Sequence, residues 1–495
     1  MKYIPTIGLE VHMELNTDTK MFCRCPNVSE EKSPNQNVCP VCLGHPGTMP
    51  VANIDAIRAI LRLGTALSGE IPAMSQFDRK SYFYPDLPKG YQISQYEHPF
   101  VKGGELAGVK LRRVHLEEDA GKLMHSASAS PSRDGSDNGE TLCDYNRAGV
   151  ALMELVTEPD IKSGEEAVKF TKELQLALRY LGISNADMEK GEMRLEANIS
   201  VRPENTDKLG TKVEVKNLNS FNFMAKAIDY EIKRQTEALE KGERIIQETR
   251  GWDSVKNKTF SQRSKEEAHD YRYLPEPDLP PFDLSDKSFI DLDEIRASVP
   301  EMPWAKRERF ISEFGITESA AASFAEDRQF AEYYEETASE INDENLTEEE
   351  KKKALTVAAN YMLADVRGAI NQSGTTIAGF KEKVNPENMA DLAILITKGE
   401  LSSRMAKDIL AEMRATGLDP RDIIAEKGIT QVTDEGAISE VIKEVLEENP
   451  KAIEDYRKGK ENALQFLFGK AMAKLKGQGS PEAIRKTLGE HIKQS

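Results

Sequence analysis

Glu10, His12 and Glu14 occupy alternate positions in IGLEVHMELNT (7–17), out of phase with Ile7, Leu9, Val11, Met13 and Leu15. Side chains alternate across a strand, so a strand here lines up carboxylate, imidazole and carboxylate on one face. A merely solvated face more often carries Lys, Thr or Ser. Two further segments alternate in the same way. GVKLRRVHLEEDAGK (108–122) sets Val114 and Leu116 against Arg113, His115 and Glu117. EMRLEANISVRP (192–203) sets Met193, Leu195, Ala197, Ile199 and Val201 against Arg194, Glu196, Asn198, Ser200 and Arg202. Convergence of Glu10 and His12 with Glu117 or Glu118, and with Glu196 and Asn198, would form an oxygen-rich cluster with one imidazole. Such a cluster suits Mg2+ or Mn2+ rather than Zn2+. The competing reading is three unrelated wet strand faces.

Four of the five cysteines form two close pairs, Cys23-x-Cys25 and Cys39-x2-Cys42. Two pairs on two turns can supply four thiolates to one tetrahedral Zn2+, and Pro40 suits such a turn. Four protein ligands leave no open position, so this zinc would be structural. The alternative is four small buried or redox-active cysteines. Cys143 stands apart and reads as ordinary packing.

No Walker A sequence is present, and Gly477-x-Gly479 lacks the rest of a dinucleotide fingerprint. FDRKSYFYPDLPKGYQISQ (77–95) combines Arg79, Lys80 and Lys89 with Tyr82, Phe83, Tyr84 and Tyr91. Cations beside aromatic faces can hold phosphates and a base, although a Pro-braced loop with exposed aromatics fits the same residues. In EVKNLNSFNF (214–223), Asn217 or Ser220 can simply cap a helix. Arg272 and Asp278 of DYRYLPEPD read equally well as structural.

The elements that must position these groups change character along the chain. Up to about residue 290, alternating segments mix with helices. Ser163 as N-cap, the spacing of Ala167, Phe170, Leu174 and Leu178, and Gly182 predict one helix over 163–182. FNFMAKAIDYEIKRQTEALEKG predicts another. Strands before and between helices imply an α+β fold with a largely antiparallel sheet. HSASASPSRDGSDNGE (125–140) reads as a mobile loop. Pro275, Pro277, Pro280 and Pro281 mark a natural end for the first domain. Beyond about residue 291 the pattern is helical, with an acidic helix start in 340–353 and two amphipathic helices in 385–417. Met405, Ile409, Leu410 and Met413 form the buried stripe of the second, and Gly417 ends it.

At 495 residues the chain is long enough for two to four domains. No apolar run is long enough to span a bilayer, and the N-terminus is too polar before Glu10 for a secretory leader. The expected location is therefore the cytoplasm. The net charge of −18 argues against phosphate binding over most of the surface. The charge is uneven: residues 351–495 carry 23 Lys and Arg against 21 Asp and Glu, the remainder 43 against 63. Nucleic-acid contact is more plausible at the C-terminal end, and cation binding in the acidic part.

Six stretches occur in order: IGLEVHMELNT, FDRKSYFYPDLPKGYQISQ, HLEEDAGK, DYNRAGVALMELVTEPD, EVKNLNSFN and DYRYLPEPDLPP. Together they closely resemble the GatB family of bacterial aspartyl/glutamyl-tRNA amidotransferases. The resemblance covers nearly the whole chain. It implies a cradle-like catalytic kinase and transamidase domain over 1–292 with a zinc-binding insertion at 23–42, a helical domain over 293–410, and a YqeY-like helical tail over 411–495 that binds tRNA.

The resemblance also implies the chemistry. The side-chain carboxylate of Glu-tRNA(Gln), or of Asp-tRNA(Asn), is phosphorylated with ATP and Mg2+, and ammonia displaces the phosphate. Ammonia comes through a channel from a glutaminase partner subunit, and a small third subunit joins the pair into a heterotrimer. Such a reaction leans on charge stabilisation more than on a covalent nucleophile, in keeping with the absence of a Ser or Cys nucleophile motif. By carry-over, Glu10 and His12 belong to the Mg2+ site with Glu118 or Glu117, and Glu154 is a further acid. Strand alternation puts Glu117 beside His115, so Glu118 needs a bulge or a strand end to join them. Arg79 and Lys80 are the expected phosphate contacts. Lys470, Lys474 and Lys476 are the expected tRNA contacts. The structural Zn2+ is not required for catalysis, because family members differ in these cysteines. Two rival readings are a non-catalytic tRNA-binding scaffold and a free-standing amide ligase acting on a small acid.

Overall fold

A computed structural model describes residues 2–28, 31, 33–125, 141–264, 271–428, 435–457, 461–475, 479 and 481–494. The chain divides into two compact units, 1–302 and 303–495.

The first unit contains β1 (Tyr3–Glu14), α1 (Ile54–Ala66), β2 (Met74–Ser75), β3 (Asp78–Ser81), β4 (Tyr91–Ser94) and β5 (Val101–Lys102). These are followed by β6 (Glu105–Leu106), β7 (Val109–Glu118), β8 (Lys122–His125), β9 (Thr141–Asp144), β10 (Ala151–Thr157) and α2 (Gly164–Leu181). The unit continues with β11 (Met193–Pro203), β12 (Val213–Lys216), α3 (Phe221–Glu240), β13 (Glu248–Asp253) and β14 (Lys258–Ser264). Last come β15 (Leu274–Pro275), β16 (Phe282–Asp283) and α4 (Leu292–Ala297).

One sheet dominates, in the order β14-β13-β12-β11-β1-β10-β7-β5, with β6 also on β7. Its pairs are antiparallel except β12 with β13. This is the α+β arrangement expected from the alternating segments. β1 lies at the centre, between β10 and β11. Ile7, Leu9, Val11 and Met13 are fully buried on one face. Burying such side chains contributes roughly 1.5–3 kcal/mol each. That contribution also fixes the register, because a one-residue slip would drive Glu10 and His12 into the core. On the apolar side, α1 packs on β7, α3 packs on β11, and α2 contacts both helices. The opposite, polar face is left for chemistry.

The local signals behave as the residue types require. The Ser163 hydroxyl accepts from the Glu166 N–H, and Gly182 closes α2 in the left-handed region at φ 66°. Ser220 caps α3 by accepting from the Phe223 N–H, while Asn217 sits at φ 62°. The Ser-rich stretch 125–140 falls almost wholly outside the described residues. The Pro-rich segment does not end the first unit. Leu274–Pro275 pairs with β3 and Phe282–Asp283 with β2, and α4 packs on α1 with Ile295 buried. The unit therefore runs on to residue 302.

The second unit is helical. Helices Pro386–Thr397 and Ser403–Thr416 match the two amphipathic segments, and Met405, Ile409, Leu410 and Met413 are buried. Gly417 ends the second at φ 77°. In the acidic stretch, Thr347 and Glu350 form a capping box at the start of helix Glu348–Tyr361. One apolar core runs from Phe310 to Ile423 and another from Ile438 to Ile492. A division at 410 would cut helix Ser403–Thr416, whose Met413 packs in the first of these cores. Among the described residues, no helix is long and apolar enough to cross a membrane.

Candidate active site

Strand register assembles the polar face. His12 of β1 lies directly opposite Glu154 of β10, and Glu154 lies opposite His115 of β7. The His12 Nε2 is 3.3 Å from Glu154 Oε2 and 3.6 Å from Glu117 Oε1. The His115 Nε2 is 3.5 Å from Glu154 Oε2 and 3.8 Å from Glu117 Oε2. On the other side of His12, Glu10 pairs across β1 with Glu196 of β11. Glu10 also accepts from Asn198 Nδ2 at 3.0 Å. The Glu196 carboxylate takes Lys216 Nζ at 2.7 Å, and Glu214 lies 3.6 Å from the same ammonium.

Two acid-rich groups thus stand side by side. In the first, His12, Glu117 and Glu154 each place one donor atom within 4.8 Å of the others; in the second, Glu10, Glu196 and Glu214 do so. Burial alone would lower the His12 pKa. The hydrogen bond and charge of Glu154, and then Glu117, outweigh it and push the imidazole up to about 9. Glu10 is raised by burial and by Glu154 and Glu196. Burial would raise Glu154 as well, but His115, His12 and Lys80 hold it well below the usual carboxylate range. Carboxylates this crowded hold a proton on His12 that a divalent cation could replace. Three oxygen donors or two with one imidazole, all half-buried or buried, fit a hard cation with open positions.

The cations of the 77–95 segment take separate places. Lys80 is held charged: burial opposes it, and Glu117 and Glu154 outweigh burial. Its ammonium also lies 5.0 Å from the Tyr271 ring centroid. Arg79 does not reach the cluster. Its Nε and Nη2 donate to the two oxygens of buried Glu276, each at 2.8 Å, and Nη2 reaches Asp278 at 3.4 Å. Adjacent residues of β3 point to opposite sides, so only one of the two faces the acids.

Glu118 is also placed apart from His12. Its register opposite Ala151 continues that of Glu117 opposite Leu152, with no bulge at this end to turn it over. The carboxylate instead pairs with Lys89 Nζ at 2.5 Å and accepts from the Ile93 N–H at 3.0 Å. Glu14 belongs to a separate group, in which buried Glu14 and Asp119 meet half-buried Arg194 and Arg147. Arg194 Nη2 lies 2.6 Å and Arg147 Nε 3.6 Å from Asp119 Oδ2.

The four cysteine sulfurs also lie within 4.8 Å of one another, and Cys39 and Cys42 are 3.9 Å apart. Tetrahedral ligands at Zn–S distances of about 2.3 Å sit roughly 3.8 Å apart, so the set fits zinc. The Cys23 thiol, the Cys39 N–H and the buried Lys20 ammonium outweigh burial and hold the Cys42 thiol down, at about 5. Cys143 lies outside the group, within 3.8 Å of the Pro85 carbonyl.

In the second unit, Lys470 is exposed beside Phe466. Lys474 pairs with Glu444 at 3.0 Å and Glu448 at 2.6 Å, and Lys476 lies outside the described residues.

Residue types alone put His115 on the polar strand face but left it out of the cluster, and they did not join Glu214 or Lys216 to it. His115 carried a usable signal, since it shares a face with Glu117. Glu214 and Lys216 carried none, because nothing local says that β12 pairs with β11.

Residues 5–290 match the family model described as the GatB/GatE catalytic domain, and residues 334–492 match that of the GatB domain. Curated relatives named as the B subunit of aspartyl/glutamyl-tRNA(Asn/Gln) amidotransferase align end to end. The Thermotoga maritima protein is 44 % identical over 99 % of this chain and 98 % of its own. The Carboxydothermus hydrogenoformans protein is 43 % identical over 99 % of each. The Persephonella marina protein is 43 % identical over the full length of both. With its polar sheet face, its cysteine cluster and its helical second unit, the chain belongs to the GatB family, the B subunits of tRNA-dependent amidotransferases.

Proposed function

We propose that this chain activates the side-chain carboxylate of a misacylated tRNA, Glu-tRNA(Gln) or Asp-tRNA(Asn), and converts it to the amide. A carboxylate oxygen attacks the γ-phosphorus of ATP and ADP leaves. The nitrogen lone pair of ammonia then attacks the acyl carbon, phosphate leaves, and the amide loses a proton. Phosphorylation supplies the leaving group that a free carboxylate lacks.

The observation that carries this reading is the pair of adjoining acid groups around His12 and Glu10, flanked by the Lys80 ammonium. His12, Glu117 and Glu154 would hold one Mg2+, and Glu10 with Glu196 and Glu214 offers a second oxygen-rich position. A bound divalent cation supplies charge neutralisation at the transferred phosphoryl group. His115, 3.5 Å from Glu154 and 3.8 Å from Glu117, braces these two carboxylates, and Lys80 supplies positive charge for the phosphates. Arg79, locked by Glu276, braces the strand that presents Lys80. The proposed partners are a glutaminase subunit, which supplies ammonia, and a small third subunit that completes the heterotrimer. The helical tail, with Lys470, Lys474 and Lys476, is proposed to contact tRNA phosphates.

The test is ATP-dependent amidation of Glu-tRNA(Gln) with free ammonia, using the chain co-expressed with its glutaminase and small-subunit partners. Activity that survives Glu10→Ala would move the chemistry to a partner and favour the scaffold reading.

A further inference from the structure

Between the cysteine turns and β4 lies a cleft of about 200 Å3, lined by Phe22, Val41, Gly44, Lys89, Tyr91 and Glu118 among others. The Lys89–Glu118 ion pair sits on its wall, with the Lys89 side chain 11 % and the Glu118 side chain 2 % exposed. Glu118 follows Glu117 directly, so the pair ties down the end of the strand that presents Glu117 to His12.

The cysteine turn touches this pair from one side. After Cys39 and Cys42, the Leu43 N–H donates to the Cys39 carbonyl and the Gly44 N–H to the Val41 carbonyl, both at 3.0 Å. Gly44 has φ +67°, and a Cβ there would lie 2.3 Å from Lys89 Cγ and 3.1 Å from Lys89 Cα. The turn can close on the Lys89 stem only because residue 44 has no side chain. A second close approach comes from the other side of Cys42, where a Cβ on Gly149 would lie 3.2 Å from Cys42 Cβ. Lys20, fully buried, adds a third: its ammonium donates to the Ala148 carbonyl at 2.8 Å and lies 3.9 Å from Cys42 Sγ. The cysteine turn is thus wedged between the backbone at 148–149 and Lys89.

We propose that the four-cysteine turn is the seat of the Lys89–Glu118 pair. Gly44 is a positioning residue for Lys89, and metal at the four cysteines keeps the turn in place against it. The zinc-binding segment would then support amidation without touching substrate, by fixing the strand end that carries Glu117. Only the amidation readout rests on the function proposed above; the geometric claim does not.

Gly47 supplies a matched control. It has φ +84°, so alanine there carries comparable backbone strain, but a Cβ at 47 meets nothing within 4 Å. The experiment is acylation of lysines in the full-length chain in complex with its partners, with labelling of Lys89 read by mass spectrometry against exposed Lys2 and Lys233. Lys89 labelling is expected to rise at least fivefold in Gly44→Ala and to stay at the wild-type level in Gly47→Ala. Amidation with free ammonia is expected to fall about tenfold in Gly44→Ala alone, while glutamine hydrolysis is unchanged. In wild type, a zinc chelator is expected to raise Lys89 labelling and added Zn2+ to restore it. That second arm stands even where Gly44→Ala does not fold. Lys89 labelling that stays constant under chelation overturns the proposal, as does equal labelling in a folded Gly44→Ala and Gly47→Ala. A rise in labelling in a complex without amidation activity would support this inference and count against the proposed function instead.

Discussion

His12 and Glu154 face each other across β1 and β10, with the imidazole Nε2 3.3 Å from the carboxylate. Burial disfavours the imidazolium, and Glu154 and Glu117 overcome it and raise its pKa to about 9. At neutral pH His12 therefore carries a proton that competes with a cation. Mg2+ affinity should rise close to tenfold per pH unit toward about 9, with about one proton released per ion bound. Calorimetry in buffers of different ionisation enthalpy measures that proton. Glu154→Gln should bring the His12 pKa down and cut amidation on the order of 100-fold. A pH-independent Mg2+ affinity would place the ion away from His12.

Arg79 and Lys80 are neighbours with different surroundings, and two substitutions test whether their roles differ as proposed. Arg79→Lys loses the two-pronged contact with buried Glu276 and should cost about 2–3 kcal/mol of stability. Lys80→Met should lower kcat for amidation on the order of 100-fold in protein that is still folded. Denaturant titration and steady-state amidation, run on both variants, check this pairing. The reverse pattern would make Arg79 the phosphate contact.

A buried network joins α3 to β13 and β14. Glu231 accepts from Arg234 at 2.8 and 3.0 Å and from Gln235 at 3.1 Å, contacts Arg250 at 3.1 Å, and is hydrogen-bonded by Thr259. Burial would raise its pKa, but Arg234 and Thr259 outweigh burial and lower it. A lowered folded-state pKa gives stability that is present above the ordinary carboxylate value and lost as pH falls through the folded value. Glu231→Gln should therefore cost about 3 kcal/mol at pH 7, and less as the pH drops below the ordinary carboxylate range. Urea titrations at pH 7 and pH 4 measure the difference.

Lys470 and Lys474, two of the three lysines proposed to contact tRNA, should also differ. Lys470 is exposed, whereas Lys474 shares its charge with Glu444 and Glu448. Lys470→Ala should weaken tRNA binding and reduce the salt slope by about one; Lys474→Ala should do less of either. Filter binding at several salt concentrations reads both.

Much of this arrangement was legible in the residues, and the failures have a common cause. The alternation in 7–15 and 193–201 set the two faces of β1 and β11, and Ser163 and Gly182 set the ends of α2. The same alternation separates Glu117 from Glu118. What stayed hidden depends on partners distant in sequence. Arg79 reads as a phosphate contact until Glu276, 197 residues away, is seen to occupy it. The prolines after Leu274 read as a domain end, yet two short pairings hold that segment against β3 and β2. Lys89 reads as a loop cation until Glu118 is found against it.

The central claim is that the polar face around Glu10 and His12 performs the activation step. The most direct measurement is amidation of Glu-tRNA(Gln) with ATP and free ammonia by the complete complex, comparing wild type with His12→Ala and Glu10→Ala. Glutamine hydrolysis is followed in parallel. The account predicts amide formation in wild type, none in either variant, and measurable glutamine hydrolysis in all three. Amide formation at the wild-type rate in both variants would contradict it.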